Sequence, residues 1–164
     1  MRTKDKKKYY AFKNDYKVLA NELRTLSGIT VSSAFNNTPP LERKIMTIEA
    51  IWDTGATNTV IREDLINSLN LIPVGKTANS TAGGIIEVYQ YLIDLFLPND
   101  MMVRNLLVTG NSHLNSCDAL IGMDVICRGD FAVSNTDGKT HFSFCMPPHH
   151  NKLCLYERAD KYNK

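Results

Sequence analysis

The stretch IWDTGATNTVI, Ile51 to Ile61, runs an apolar approach into one aspartate and then into a small, hydroxyl-rich turn. Taking an ionised carboxylate out of water is costly unless donors or a second titratable group compensate it, so Asp53 at the end of an apolar strand points to chemistry. Two carboxylates forced together cannot both ionise; they share a proton, and one is a base while the other is an acid at the same pH. Such a pair can activate a water and protonate a carbonyl oxygen at once, which is what peptide-bond hydrolysis demands. The Asp-Thr-Gly triplet occurs once in the chain. A second copy across a two-fold axis would supply the missing carboxylate, because that symmetry sets a residue opposite itself. In that arrangement Thr54 hydrogen-bonds across the axis, Gly55 lets backbone approach backbone, and small Ala56 leaves room for a substrate chain.

Asp-Thr-Gly alone is a common turn sequence, and its surroundings are what lift it above that. The segment ERKIMTIEAIW before it predicts a strand, with Glu42, Arg43 and Lys44 at an exposed start and Ile48, Ala50, Ile51 and Trp52 turned inward. After it, REDLINSLNL predicts a short helix burying Leu65, Ile66 and Leu69. The runs IIEVYQYLIDLFLP and MMVRNLLVTG predict a hairpin about Pro98-Asn99-Asp100. Ala119 to Gly122 reads as a short buried strand ending in glycine, followed by one or two helical turns from Met123 to Cys127. FAVSNTDGKTHFSFCM predicts a last hairpin, turning over Asn135 to Gly138. Many short strands with a few short helices indicate a mostly β domain.

Upstream the pattern differs. Phe12, Tyr16, Leu19, Leu23 and Leu26 recur at steps of four and three, which predicts an amphipathic helix over 11–27 with Gly28 as its stop. The polar, proline-ended SSAFNNTPP, Ser32 to Pro40, reads as a linker. The expected organisation is a helix and linker over 1–40, a catalytic-type β domain over 41–146 and a tail over 147–164.

The chain's 164 residues and 43% hydrophobic content suit one domain with a real core. A net charge of +2 argues against a nucleic-acid partner. No run approaches the roughly 18 uncharged apolar residues of a membrane span, and MRTKDKKK lacks the apolar core of a secretory signal, so no membrane partner and a cytoplasmic address are expected. Cys117, Cys127, Cys145 and Cys154 form no C-x-x-C pair and are expected as free thiols. Within CMPPHHNKLC, Cys145, His149, His150 and Cys154 carry zinc-ligand chemistry, but the spacing matches no common finger and two prolines intervene; an exposed tail is expected there.

Together, the triplet after an apolar strand, the Gly83-Gly84 pair about thirty residues on and Leu120-Ile121-Gly122 before a short helix resemble the retropepsin-like aspartic proteases, single-lobe homodimeric relatives of pepsin. The resemblance spans residues 41 to 146 and implies a retropepsin-like closed β-barrel, the acid protease fold, here with short helices and an extra N-terminal helix. It implies that Asp53 is the acid/base, Thr54 the inter-subunit grip and Gly55 a substrate-backbone contact. TANSTAGGIIEVYQY resembles the family's flap, a hairpin with Ala82, Gly83 and Gly84 at its tip that closes over substrate. Ile121 and Gly122 would support the catalytic loop from below.

Departures are visible. Thr57 stands where retroviral enzymes often carry a substrate-binding aspartate, and Met123-Asp124 follows the glycine where they commonly carry arginine, so LIGMD is more similar to cellular and bacterial members. The four-stranded terminal dimer sheet of the retroviral enzymes is not located in the sequence, which leaves other strands for dimerisation. Ala56 in place of the serine of the pepsin-like version removes a hydroxyl donor, so an acid optimum milder than pepsin's is expected. The expected activity is a cofactor-free, metal-free aspartic endopeptidase acting as a homodimer on peptide or protein substrates. Two other readings compete with it: a peptide-binding scaffold on the same fold, and a self-processing precursor cut between the N-terminal helix and Leu41.

Overall fold

Runs of β-branched and aromatic residues bounded by Gly, Pro, Asn and Asp fold as strands throughout the chain. The computed structural model describes residues 8–35, 39, 42–81, 84–149 and 154–162. In chain order they form β1 (Tyr10–Asp15), β2 (Leu23–Val31), β3 (Met46–Trp52), β4 (Val60–Arg62), α1 (Glu63–Ser68), β5 (Gly75–Thr81), β6 (Gly84–Leu97) and β7 (Met101–Asn111). Then follow β8 (Ala119–Ile121), α2 (Met123–Ile126), β9 (Asp130–Thr136), β10 (Lys139–Met146) and α3 (Leu155–Tyr162).

Strands β2, β3, β8, β4, β7 and β6 pair in that order, and β6 pairs back onto β2 from Gly28↔Phe96 to Val31↔Ile93, closing a six-stranded barrel. Closure satisfies every edge of the ring, and its interior fills with Ile29, Ile48, Ile61, Ile93, Leu95 and Val108, all at most 1% exposed. The second half of β6 belongs to the barrel; its first half pairs with β5 from Gly84↔Thr81 to Gln90↔Gly75 and forms a projecting hairpin. β1, β10 and β9 form a separate three-stranded sheet in that order.

That sheet packs on Trp52, the last residue of β3. Phe144 lies 4.9 Å from the indole centroid, Phe142 5.3 Å, Phe12 5.8 Å and Phe131 5.9 Å. Trp52 Nε1 donates to Thr25 Oγ1 at 2.9 Å, so the one polar atom of the buried indole is satisfied. Four rings from three strands therefore fix the residue next to Asp53.

The predicted N-terminal helix is corrected: residues 10–15 and 23–31 are strands. Phe12 is buried between outward neighbours in a period of two, while Leu19 and Leu26, which the helical stripe needed, are 59% and 71% exposed. Pairing with β10, β3 and β6 outweighs a local helical preference that is weak without a face to bury. Gly28 is no helix stop; a Cβ there would lie 2.9 Å from Ile45 Cγ2, so the glycine allows close approach inside the barrel wall. Because β2 closes the barrel, excising residues 1–40 would remove one of its staves.

Arg43, expected at an exposed strand start, is also corrected. Its side chain is 4% exposed and ion-paired at 2.9 Å with Asp94, which is 0% exposed at a bulge in β6. Asp94 further accepts from the N–H groups of Asn105 and Ser33 at 2.9 and 3.1 Å, tying the start of the presumed linker to β6 and β7. The other elements fall where the sequence puts them: the β3 strand, the α1 helix with Leu65 and Ile66 buried, the β6–β7 and β9–β10 hairpins, and β8 leading into α2. The tail contains α3, which buries none of its residues. All four cysteines are free. No helix among the described residues is long and apolar enough to cross a membrane.

Candidate active site

The loop from Asp53 to Thr59 joins β3 to β4, and β8 lies between those two strands. β8 runs parallel to β3 (Ala50↔Ala119, Trp52↔Ile121) and antiparallel to β4 (Val60↔Leu120, Ile61↔Ala119). A loop that leaves one neighbour of β8 and returns on the other must arch over the end of β8. The chain fastens this arch at every step. Asp53 N–H donates to the Ile121 carbonyl at 2.9 Å, Met123 N–H to the Ala56 carbonyl at 2.8 Å, and Asp124 N–H to the Thr57 carbonyl at 3.2 Å.

Two side chains complete the fastening. Thr59 is 1% exposed; its hydroxyl donates to Asp124 Oδ1 at 2.7 Å, its N–H to Oδ2 at 3.0 Å, and its oxygen accepts the Gly122 N–H at 3.2 Å. Gly122 passes so close beneath that a Cβ would meet Asn58 C and O at 2.6 and 2.7 Å and Ala56 O at 2.9 Å. Those contacts are backbone, which cannot swing away, so only glycine fits. The sequence singled out Gly122 and Ile121 as supports; it missed Thr59 and Asp124, whose partnership crosses 65 residues and leaves no local pattern.

Asp53 is half-buried at the head of the arch, and its Oδ1 accepts the Gly55 N–H at 2.8 Å. Thr54, Gly55 and Thr57 are exposed beside it and Ala56 is half-buried. Asp53, Thr54, Gly55, Ala56 and Thr57 thus share one loop seated on Ile121 and Gly122. Gly84 opens β6 at φ 116°, a conformation that suits glycine, and is exposed on the projecting hairpin. Ala82 and Gly83 lie outside the described residues. Farther along the same strand Ile85 and Ile86 are 79% and 49% exposed and add apolar surface to the hairpin.

A cleft of about 310 Å³ opens between β4, α1, the hairpin strand β6 and the end of β7, with Val60, Glu63, Ile66, Ile86, Tyr91 and His113 in its walls. Burial, with the Glu63 carboxylate next, pushes the Tyr91 hydroxyl above the ordinary tyrosine range. Asp53 does not line this cleft. Among the described residues no group of three or more His, Cys, Asp and Glu side chains is placed to hold a metal; His150 lies outside them.

A family model described as "gag-polyprotein putative aspartyl protease" matches residues 44–128, a span that holds the Asp53 loop, the β5–β6 hairpin and the Gly122 support. No curated protein matches the chain. Among solved structures the chain is similar to a retropepsin-like aspartic protease from Rickettsia conorii, at 10% identity over 85% of this chain and 95% of that one, TM-score 0.48. It is also similar to the EIAV protease complexed with the inhibitor HBY-793, at 19% identity over 67% and 92% of the two chains, TM-score 0.44. A third is the retroviral protease-like domain of Ddi1 from Leishmania major, at 14% identity over 71% and 91%, TM-score 0.38.

Proposed function

Because the chain belongs to the gag-polyprotein aspartyl protease family, we propose that it is an aspartic endopeptidase whose catalytic dyad is Asp53 and the Asp53 of a second copy. The observation that carries this reading is the Asp53 loop itself: a carboxylate presented at the head of an arch held by six backbone and side-chain struts to residues 121–124. Among the described residues the Asp53 carboxylate accepts from one donor, the Gly55 N–H, and no second carboxylate bonds to it. The chain holds half of a two-carboxylate site.

In this reading the two aspartates share one proton across a two-fold axis. The ionised member takes a proton from a water between them as that water attacks the scissile carbonyl; the protonated member gives its proton to the carbonyl oxygen. Collapse of the tetrahedral intermediate breaks the C–N bond and passes a proton to the leaving amine, so no covalent enzyme intermediate forms. Thr54 steadies the paired loops, Gly55 and Thr57 contact substrate backbone, and the hairpin carrying Ala82, Gly83 and Gly84 closes over an extended peptide. Exposed Ile85 and Ile86 on that hairpin favour apolar side chains beside the cleaved bond. Neither metal nor organic cofactor takes part, and the site works in the cytoplasm at a milder acid optimum than pepsin's.

The test is to profile cleavage of a diverse peptide library by the wild-type protein and by Asp53→Asn from acidic to neutral pH, using mass spectrometry. Internal cuts made by the wild type and lost in Asp53→Asn support the reading. If neither protein cuts while both remain folded, the chain is a peptide-binding module with a protease fold.

A further inference from the structure

β6 and β7 lie side by side only as far as Gln90↔Thr109. Beyond that pair the two strands fork. β7 runs on beside β4, with Ile61↔Gly110 and Arg62↔Asn111, while β6 runs out as the projecting hairpin with β5 on its other side. The outer edge of β6 from Ile86 to Tyr89 and the facing edge of β7 at Gly110 and Asn111 therefore pair with no strand among the described residues. The cleft of about 310 Å³ fills this fork, a size that suits a small molecule.

Apolar groups line the cleft from both sides. Ile66, 7% exposed, and half-buried Val60 belong to the body of the domain, and Ile86 belongs to the hairpin. At Gly110 a Cβ would collide with Ile66 Cδ1 and reach Tyr91 Cε2 at 3.9 Å, so the missing side chain lets those two residues pack on the β7 backbone. The polar groups have one character. Tyr91 is only 9% exposed, yet its hydroxyl bonds to no described residue, whereas a buried phenol ordinarily finds a partner. Among the described residues Thr109 Oγ1 is the one side-chain atom sealed from solvent without a partner, so the Tyr91 oxygen opens into the cleft that its ring lines. Glu63, also in the wall, makes no ion pair or hydrogen bond among the described residues and acts on the same hydroxyl through its charge. The neighbouring charges are matched: Glu87 by Lys76 at 2.7 Å, and Arg62 by Asp64 and Asp118 at 2.6 and 2.7 Å. The carboxylate of Glu63 is left over.

We propose that this fork binds a small amphipathic cation, an ammonium or guanidinium on an apolar body, with Glu63 and the Tyr91 oxygen holding the charge and Val60, Ile66 and Ile86 holding the body. A cationic donor gives Tyr91 the partner it lacks and Glu63 its counter-charge, and bonds of that charge-assisted kind are the strong ones. The ligand touches β6 on one side and α1, β4 and β7 on the other, so its binding ties the root of the hairpin to the body of the domain. One consequence rests on the reading of that hairpin as the cover of an Asp53 site: the cation restrains the cover. Asp53 does not line the cleft, so the cation slows cleavage without competing with the peptide.

The full chain with carbon-13 labelled isoleucine and valine methyls tests this by nuclear magnetic resonance. The probes are phenethylamine and phenethyl alcohol, which share a shape and differ in charge. His113 also lines the cleft, so the titrations are made at mildly alkaline pH, where imidazole is neutral. Phenethylamine should move the Ile66 and Ile86 methyl resonances to saturation, and the alcohol should bind at least about tenfold more weakly. That comparison needs no variant. Glu63→Gln, at an exposed position, should raise the dissociation constant of the amine at least about fivefold and leave that of the alcohol unchanged. In peptide cleavage by the wild type, the amine should lower kcat and leave KM near its starting value. Methyl shifts that do not saturate, an alcohol that binds as tightly as the amine, or a Glu63→Gln chain that holds the amine like the wild type overturns the site. A rise in KM with kcat unchanged also overturns the inference, because the cation would then occupy the path of the substrate itself. If the methyls respond as expected while the wild type cuts no peptide, the binding site stands and the protease reading fails.

Discussion

The Thr59 hydroxyl donates to Asp124 at 2.7 Å while the Thr59 N–H reaches the other oxygen of the same carboxylate at 3.0 Å, so one side chain of α2 holds the far end of the Asp53 loop. Thr59→Val keeps the branched shape, strands Asp124 and the Gly122 N–H without their hydroxyl partner, and should cost about 1–3 kcal/mol. Thr59→Ser should stay near wild type. Thermal denaturation and peptide cleavage check this together, cleavage falling more than stability because the loop aims Asp53. Equal behaviour of the Val and Ser variants would contradict the role given to the hydroxyl.

The Arg43–Asp94 pair should behave unlike the ion pairs on the surface. Its side chains are 4% and 0% exposed, so Asp94→Ala takes a buried carboxylate away from the Arg43 guanidinium and the Asn105 N–H, at about 3–5 kcal/mol. Lys13 and Asp15, at 2.7 Å but 75% and 47% exposed, are screened by water, and Lys13→Ala should change stability by no more than about 0.5 kcal/mol. Chemical denaturation of the two variants measures the contrast. Similar midpoints for both would show that the barrel closure does not depend on Asp94.

Thiol chemistry offers an independent check on burial. Cys117 is 5% exposed beside Ile51 and Leu114, and burial pushes its thiol above the ordinary cysteine range, whereas Cys127 lies exposed after α2. Thiolate is the reacting form, so alkylation of Cys117 should lag behind that of Cys127 at neutral pH and gain as the pH is raised. Peptide mapping after timed iodoacetamide treatment follows both sites. Equal rates at neutral pH would contradict the placement of Cys117.

The sequence was most legible where one residue type answers one local demand. Asp-Thr-Gly at a strand end, alternating apolar runs and Asp137-Gly138 in a tight turn each follow from local chemistry, whereas the place of Gly122 beneath a loop came from the family resemblance. What it concealed was long-range. Phe12, Leu23 and Leu26 sit at helical spacing, and nothing in the spacing says that Phe12 meets Trp52 and Phe142 or that Leu23 pairs with Trp52 across a sheet. Arg43 looked solvated because its partner Asp94 lies 51 residues away within an apolar strand. The Thr59–Asp124 contact was hidden for the same reason.

The central claim is that one active site is shared by two chains, and mixing subunits tests it most directly. Wild-type and Asp53→Asn chains are unfolded together in equal amounts, refolded and assayed on a peptide that the wild type cuts. If each dyad needs Asp53 from both copies, only wild-type pairs act, and activity per total protein falls to about one quarter of an all-wild-type sample. A fall to about one half, in proportion to the wild-type chains present, would mean that each chain carries its own complete site and would contradict the account.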